Sequence, residues 1–218
     1  SFLRGDCVAV LVVLECEDKE YTPLVVQPRA PAGSYGFAEI PAGMLDGSGD
    51  FSGVAAKELQ EEVGITVLKA ELQQLNIGED GAGGSAPYAS PGGSDERIGL
   101  YVCRKTVTRE ELDDIQGRCT GEQSEGEHIT VKVVPLDDIL THVAQDMKSV
   151  TAALLYERVQ AEKILRETRE LLDPTTEKGR VYLEKIQAEA RAEYEGMDNR
   201  SHADRRADED REDHFREC

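Results

Sequence analysis

The sequence predicts an α/β domain with a mixed β-sheet, and three observations carry the prediction. Short Val- and Leu-rich runs recur along the chain, from Val8–Leu14 to Ile129–Pro135. Between them lie segments whose apolar residues return at helical spacing, as at Ala55, Leu59 and Val63. After Asp137 the pattern becomes mostly helical, and from Asp198 to Glu217 it is almost wholly polar. Strands interleaved with helices pack as a sheet covered by helices, and a polar end has too little apolar surface to build a core of its own.

Taken in order, Cys7–Glu15 and Pro23–Gln27 read as strands joined by a turn at Glu17-Asp18-Lys19-Glu20. Phe37–Ile40 is a shorter strand that ends at Pro41. The Gly-rich segment Gly43–Gly53 is a loop, and Asp50 or Ser52 can cap the helix that follows, which runs to about Val63 and stops at Gly64. Thr66–Ile77 reads as extended, and Gly78–Gly93 as a long loop of the kind that is usually functional or mobile. Arg97–Lys105 is a strand, Thr108–Ile115 a helical turn, Gly117–Gly126 a polar loop and Ile129–Pro135 the last strand. Helix resumes at Asp137–Val143. Val150–Leu172 is amphipathic without an internal Gly or Pro and is broken by Asp173-Pro174, and a second amphipathic stretch spans Val181–Tyr194. The expected organisation is a domain over 1–149, an amphipathic helical extension over 150–196 and a charged tail over 197–218.

With 218 residues and a formal net charge of −19, the chain has no general basic surface for nucleic acid or anionic lipid. A polyanionic substrate has to be met locally, by a metal and a few arginines. No apolar run approaches the roughly 20 residues of a membrane span. The five cysteines form no CxxC pair and are odd in number, which points to reduced thiols in a reducing compartment. The sequence opens on Ser1 rather than Met, which leaves room for an upstream targeting segment.

The segment with the sharpest chemistry is 43–65. Glu58, Glu61 and Glu62 stand at i, i+3 and i+4 of the helix expected there, close enough to repel one another unless a cation neutralises them. Hard oxygen donors of this kind suit Mg²⁺ or Mn²⁺. The alternative for the same residues is an ordinary solvated helix face.

The spacing resembles the signature of the Nudix hydrolases: a glycine, five residues, a glutamate, seven residues, then Arg-Glu-apolar-x-Glu-Glu-x-Gly-apolar. Gly43, Glu58, Leu59, Glu61, Glu62, Gly64 and Ile65 match in register, whereas Gly49 stands in place of the first glutamate and Lys57 in place of the arginine. Val26-Gln27-Pro28-Arg29, Glu39-Ile40-Pro41-Ala42-Gly43-Met44, Ser90-Pro91-Gly92-Gly93-Ser94-Asp95-Glu96 and Glu125-Gly126-Glu127 extend the resemblance to the ADP-ribose and ADP-sugar or UDP-sugar pyrophosphatase branch. The Gly-Met-Leu-Asp opening is most similar to the plant ADP-sugar diphosphatases. The likeness covers about residues 2–158.

The resemblance implies a Nudix-type α/β/α sandwich with a mixed sheet, plus a helical, charged C-terminal extension. It implies metal ligation by Glu58, Glu62, the Ala42 carbonyl and Glu127, with Glu61 adding to the shell, and catalytic roles for Glu61 and for Glu125 as a base. It assigns substrate contacts to Arg29, Glu39 and Glu96. For Arg29 a structural ion pair is the open alternative, and for Glu125 and Glu127 a solvated acidic turn. The implied reaction is Mg²⁺- or Mn²⁺-dependent hydrolysis of a nucleoside diphosphate sugar to a nucleoside monophosphate and a sugar phosphate. Gly49 and Lys57 keep a second reading open: an accessory subunit of a large assembly, docking through residues 150–218. The partners that the resemblance implies are a second copy in a homodimer or, through residues 150–218, other protein subunits. The expected location is organellar, in a mitochondrion or plastid, or cytoplasmic.

Overall fold

A computed structural model of the chain describes residues 1–45, 50–75, 86–121 and 128–192. Glu125, Glu127, Gly49 and the tail over 197–218 lie outside the described residues, as does the first half of the Gly78–Gly93 segment.

The strands are β1 (Cys7–Cys16), β2 (Lys19–Arg29), β3 (Ser34–Glu39), β4 (Ala42–Met44), β5 (Leu72–Gln74), β6 (Ile98–Thr106), β7 (Cys119–Thr120) and β8 (Ile129–Pro135). β1 is apolar at every position from Cys7 to Leu14 because both of its faces are covered. Val8, Val10, Val12 and Leu14 belong to one core, and Ala9, Leu11 and Val13 to another. Alternate side chains of a strand point to opposite faces, so a strand buried on both sides loses the polar alternation of a surface strand. β1 runs parallel to β6 in unbroken register from Cys7↔Ile98 to Glu15↔Thr106. The order β5-β6-β1-β2-β8-β7 combines this parallel pair with antiparallel neighbours, which is the mixed sheet that the sequence predicts.

One irregularity of the sheet positions the site. β2 pairs with β1 only at Leu14↔Tyr21 to Cys16↔Lys19. At the other end of β1 the same role falls to β4, through Cys7↔Met44, Val8↔Gly43 and Ala9↔Ala42, while β3 pairs with β2. The two long strands therefore part, and β4, which carries Ala42 and Gly43, lies in the opening.

Helices α1 (Phe51–Glu58) and α2 (Arg109–Ile115) cover one face, through Ala55, Leu112 and Ile115. Helices α3 (Ile139–Val143) and α4 (Met147–Leu172) cover the other, through Ile139, Val143, Ala152, Ala153 and Tyr156. This is an α/β/α sandwich. Its compact unit spans Ser1–Val159 and includes the first turns of α4.

A second unit begins at Gln160. Its part of α4 is exposed on all sides over 161–170, and residues 177–192 are again helical. Between them the Asp173 carboxylate accepts the Thr175 hydroxyl at 2.6 Å and its N–H at 2.8 Å, which holds Asp173 below the usual carboxylate range. Gly179 approaches the Asp173 carbonyl so closely that a Cβ would stand 1.9 Å from it, so the turn at Asp173-Pro174 depends on that glycine.

Two local expectations change. Thr66–Ile77 is not continuously extended: a 3₁₀ turn over Lys69–Glu71 precedes β5. There the Glu71 carboxylate accepts the Leu68 N–H at 2.6 Å, a local bond that competes with strand pairing. The predicted 50–63 helix is capped by Asp50, whose side chain accepts the Gly53 N–H at 3.0 Å, but its α geometry ends at Glu58. Leu59–Val63 forms a π turn, closed by Gly64 in the left-handed region at φ 76°.

Candidate active site

Leu59 and Val63 anchor the π turn in the core beside β1, and this fixes where its acidic residues point. Glu62 is only 6 % exposed and its Oε2 accepts the Ala42 N–H at 2.9 Å. Glu58 lies directly against Gly43, where a Cβ would stand 2.0 Å from the Glu58 carboxyl carbon. Glu61 turns to the rim, 3.2 Å from the Lys57 ammonium, itself 68 % exposed. The wide turn leaves carbonyls outside regular α bonding, and β7 with the residue after it satisfies two of them. The Thr120 hydroxyl donates to the Glu62 carbonyl, and the Gly121 N–H donates to that of Glu61 at 3.5 Å.

These groups line a polar cleft of about 410 Å³ in which Ala42, Glu58, Glu61 and Glu62 meet Arg29 and Glu96. Beside it is a second, apolar lobe of about 410 Å³, walled by Pro31, Phe37, Pro87, Tyr88, Ile98 and Met147. Arg4, Arg29, Glu96 and Lys148 line both and form the waist between them.

The waist is built on Glu39, a carboxylate 2 % exposed. It accepts from Gln27 Nε2 at 3.2 Å, from Arg29 Nε at 2.7 Å and Nη2 at 2.6 Å, and from the Lys148 ammonium. Lys148 is also 3.1 Å from Asp146. Glu96 pairs with Arg4 at 3.0 Å and accepts the Cys7 thiol, with Sγ 3.7 Å from Oε1. Burial, and then the charge of Glu96, pushes Cys7 up to about 12, so it lines the cleft as a neutral thiol. Arg4 is tethered in turn, because the Asp95 carboxylate accepts its N–H at 2.7 Å and that of Gly5 at 3.1 Å, which holds Asp95 low.

The cleft thus brings together Arg29, Ala42, Glu58, Glu61, Glu62 and Glu96 of the residues singled out in the sequence, with Glu39 behind Arg29 on the apolar side. Glu125 and Glu127 lie outside the described residues. Sequence reasoning missed Arg4, Cys7 and Lys148. A local signal did exist for Gln27, which stands two residues before Arg29 and so on the same face of β2. Lys148 has none, since a lysine at the start of a helix reads as a solvated charge.

The donor set fits a hard divalent cation. Glu58 and Glu62 lie against one stretch of main chain, and the glycine at 43 admits the Glu58 carboxylate where any side chain would exclude it. Among the described residues, no three of His, Cys, Asp and Glu converge into a closed metal cage. Mg²⁺ does not need one, because it uses one or two carboxylates and completes its shell with water and phosphate oxygens.

A family model described as a NUDIX domain matches residues 5–154. The chain belongs to the Nudix family. It is 37 % identical over 169 residues to a curated relative named "Nudix hydrolase 14, chloroplastic", from Arabidopsis thaliana. The match covers 77 % of this chain and 54 % of the relative, so the chain spans about half the relative's length. Against the Nudix pattern the departure with a visible structural effect is Lys57, which reaches Glu61 through a single ammonium, whereas arginine would bring a fork of donors. On the hydrolase reading proposed below, Lys57→Arg should raise turnover about twofold, the worth of about 0.4 kcal/mol for a better-forked pair between largely exposed side chains. Steady-state kinetics of the two proteins check this, and a Lys57→Arg rate at or below that of the parent contradicts it.

Proposed function

We propose that this protein hydrolyses the diphosphate of a nucleoside diphosphate sugar, of the ADP-ribose, ADP-glucose or UDP-glucose type, releasing a nucleoside monophosphate and a sugar phosphate. The observation that carries this reading is the paired cleft: a lobe of carboxylates, a waist with guanidinium and ammonium groups, and an apolar lobe of matching size. Such a surface complements a ligand that is anionic in its middle and flat and apolar at one end. The Nudix membership supports diphosphate chemistry, and the relative's name supports a hydrolase.

In the reaction, water attacks one phosphorus, the bond from that phosphorus to the bridging oxygen breaks, and the bridging oxygen leaves on the other phosphate. Glu58, Glu62 and the Ala42 carbonyl would hold the divalent cation, Mg²⁺ or Mn²⁺. Bound there, it offsets charge on the phosphate oxygens and lowers the pKa of the attacking water. Glu61, at the cleft rim, takes the water's proton, and Lys57 keeps its carboxylate in place. The Ala42 N–H holds the Glu62 carboxylate in one orientation, so little reorganisation is required when charge develops. Arg29 offers the phosphates the guanidinium edge that Glu39 does not use.

The test is direct. Purified protein with Mg²⁺ or Mn²⁺ is offered ADP-ribose, ADP-glucose and UDP-glucose, and release of nucleoside monophosphate is measured. Glu62→Gln should lower the rate by on the order of 10²-fold or more. If the parent releases no more than this variant, the enzyme reading fails for these substrates.

The accessory-subunit reading is favoured by a different observation. Leu154, Ile164, Leu165 and Leu172 are exposed on α4, along a segment that carries residues suited to docking on other subunits. On that reading the protein runs in native extracts at a size well above a monomer or homodimer; a free monomer or homodimer alone would rule it out. An organellar location, for which the relative's name suggests a plastid, is part of the same proposal and is checked by imaging the full-length protein.

A further inference from the structure

The least expected residue of the cleft is Lys148. It stands in the first turn of α4, where the positive end of the helix dipole disfavours a cation, and its side chain is only 13 % exposed, where burial disfavours an ammonium. Two costs at one position call for a return. Part of it is structural, since Lys148 pairs with Glu39 and with Asp146. The ammonium has three hydrogens and meets three carboxylate oxygens, one of Glu39 and both of Asp146, and the two contacts to Asp146, each at 3.1 Å, are the long ones that a phosphate oxygen can share or displace. The residue also lines both the polar cleft and the apolar lobe.

Lys148 is moreover locked in place relative to the metal-side main chain. Ser149 next to it accepts the Ile40 N–H at 2.9 Å, two residues before Ala42, and donates its hydroxyl to Asp146. Across the shared Glu39 stands Arg29, whose Nε and Nη2 face that carboxylate and whose Nη1 edge does not. Two cations held on one buried carboxylate form a rigid pair at the junction of the two lobes.

Resting on the diphosphate reading above, we propose that Lys148 and Arg29 together clamp the substrate's diphosphate, with Glu39 as the common post that preorganises both. Lys148 is the substrate-binding residue and Glu39 the positioning residue of this clamp. The lysine's charge meets phosphate oxygens where they pass from the carboxylate lobe to the apolar one.

The experiment compares the parent protein with Lys148→Met, Lys148→Arg and Asp146→Asn, with thermal melting of each as a folding control. For whichever nucleoside diphosphate sugar the parent cleaves, Lys148→Met should raise KM about 30-fold and leave kcat within about threefold. Inorganic diphosphate should inhibit it more weakly by a similar factor. Lys148→Arg should recover most of the KM. Asp146→Asn, which disturbs the structural pair but keeps the ammonium, should leave KM within about threefold. A KM unchanged in Lys148→Met, or raised equally in Asp146→Asn, overturns the clamp and leaves the diphosphate reading standing. If the parent cleaves nothing, the same variants are titrated calorimetrically with ADP-ribose whose bridging oxygen is replaced by methylene. The clamp then requires about 30-fold weaker binding by Lys148→Met, and no binding by the parent overturns the clamp and the diphosphate reading together.

Discussion

Gly43→Ala should cut kcat/KM by about a hundredfold while the protein still folds. The added methyl would lie 2.0 Å from the carboxyl carbon and from Oε1 of Glu58, well inside van der Waals contact, so one side must move. The main chain is poorly placed to do so: Gly43 is paired with Val8 on the central strand, and the Leu45 N–H donates to the Asp6 carbonyl at 3.0 Å just beyond it. The Glu58 side chain is the softer partner. It yields by rotating its carboxylate away from the main chain, and a misplacement of about 1 Å at a reacting centre is enough for an effect of this size. Because Gly43 does not have a positive φ, alanine meets no backbone strain there, and stability should change little. Kinetics and a thermal melt on the same preparation separate the two effects. A variant that keeps its kcat/KM within threefold would mean that Glu58 does no work in the position seen here.

This close approach explains why part of the site was legible in the sequence. A glycine is required where a carboxylate touches the main chain, and the register Gly43, Glu58, Glu61, Glu62, Gly64 records that contact together with the helix stop that ends the acidic turn. The fold was legible for a similar reason. The Val- and Leu-rich run in β1 reads as a strand, which the structure buries on both faces, and Ala55, Leu59 and Val63 share one buried edge even though the last two lie in the π turn. Both signals are local and periodic, so they survive in one dimension.

The waist did not survive in that form. Lys148 meets Glu39 across a separation of 109 residues, and Arg4 meets Glu96 from the opposite end of the compact unit. No pattern within a window of the sequence distinguishes such pairs from solvated charges, because the energy that holds them comes from burial and the fold decides burial. The π turn was hidden for a related reason. Its i, i+3, i+4 carboxylates fit an α-helix equally well, and only the carbonyl bonds supplied by Thr120 and Gly121, far along the chain, accompany the wider turn.

Glu39→Leu follows from that reasoning as the substitution expected to cost the most stability, about 3 kcal/mol. The carboxylate is the common acceptor of Gln27, Arg29 and Lys148, and leucine would leave two cations facing each other across an apolar side chain with only Asp146 to offset one of them. Removing one member of a buried charged set costs more than the set contributes, because the remaining charges stay desolvated. In a domain of this size the loss corresponds to a fall of about 9 °C in melting temperature. Urea unfolding should show a lower midpoint with an unchanged slope, since the surface exposed on unfolding stays nearly the same. The double variant Glu39→Leu, Lys148→Met should recover part of the loss, because it removes one of the stranded charges, and the cycle of single and double variants measures that coupling. A Glu39→Leu protein within about 1 kcal/mol of the parent, or a double variant no more stable than the single, would show that solvent screens Lys148 as well as the partly exposed Arg29 and that Glu39 is not the post that holds the two cations together.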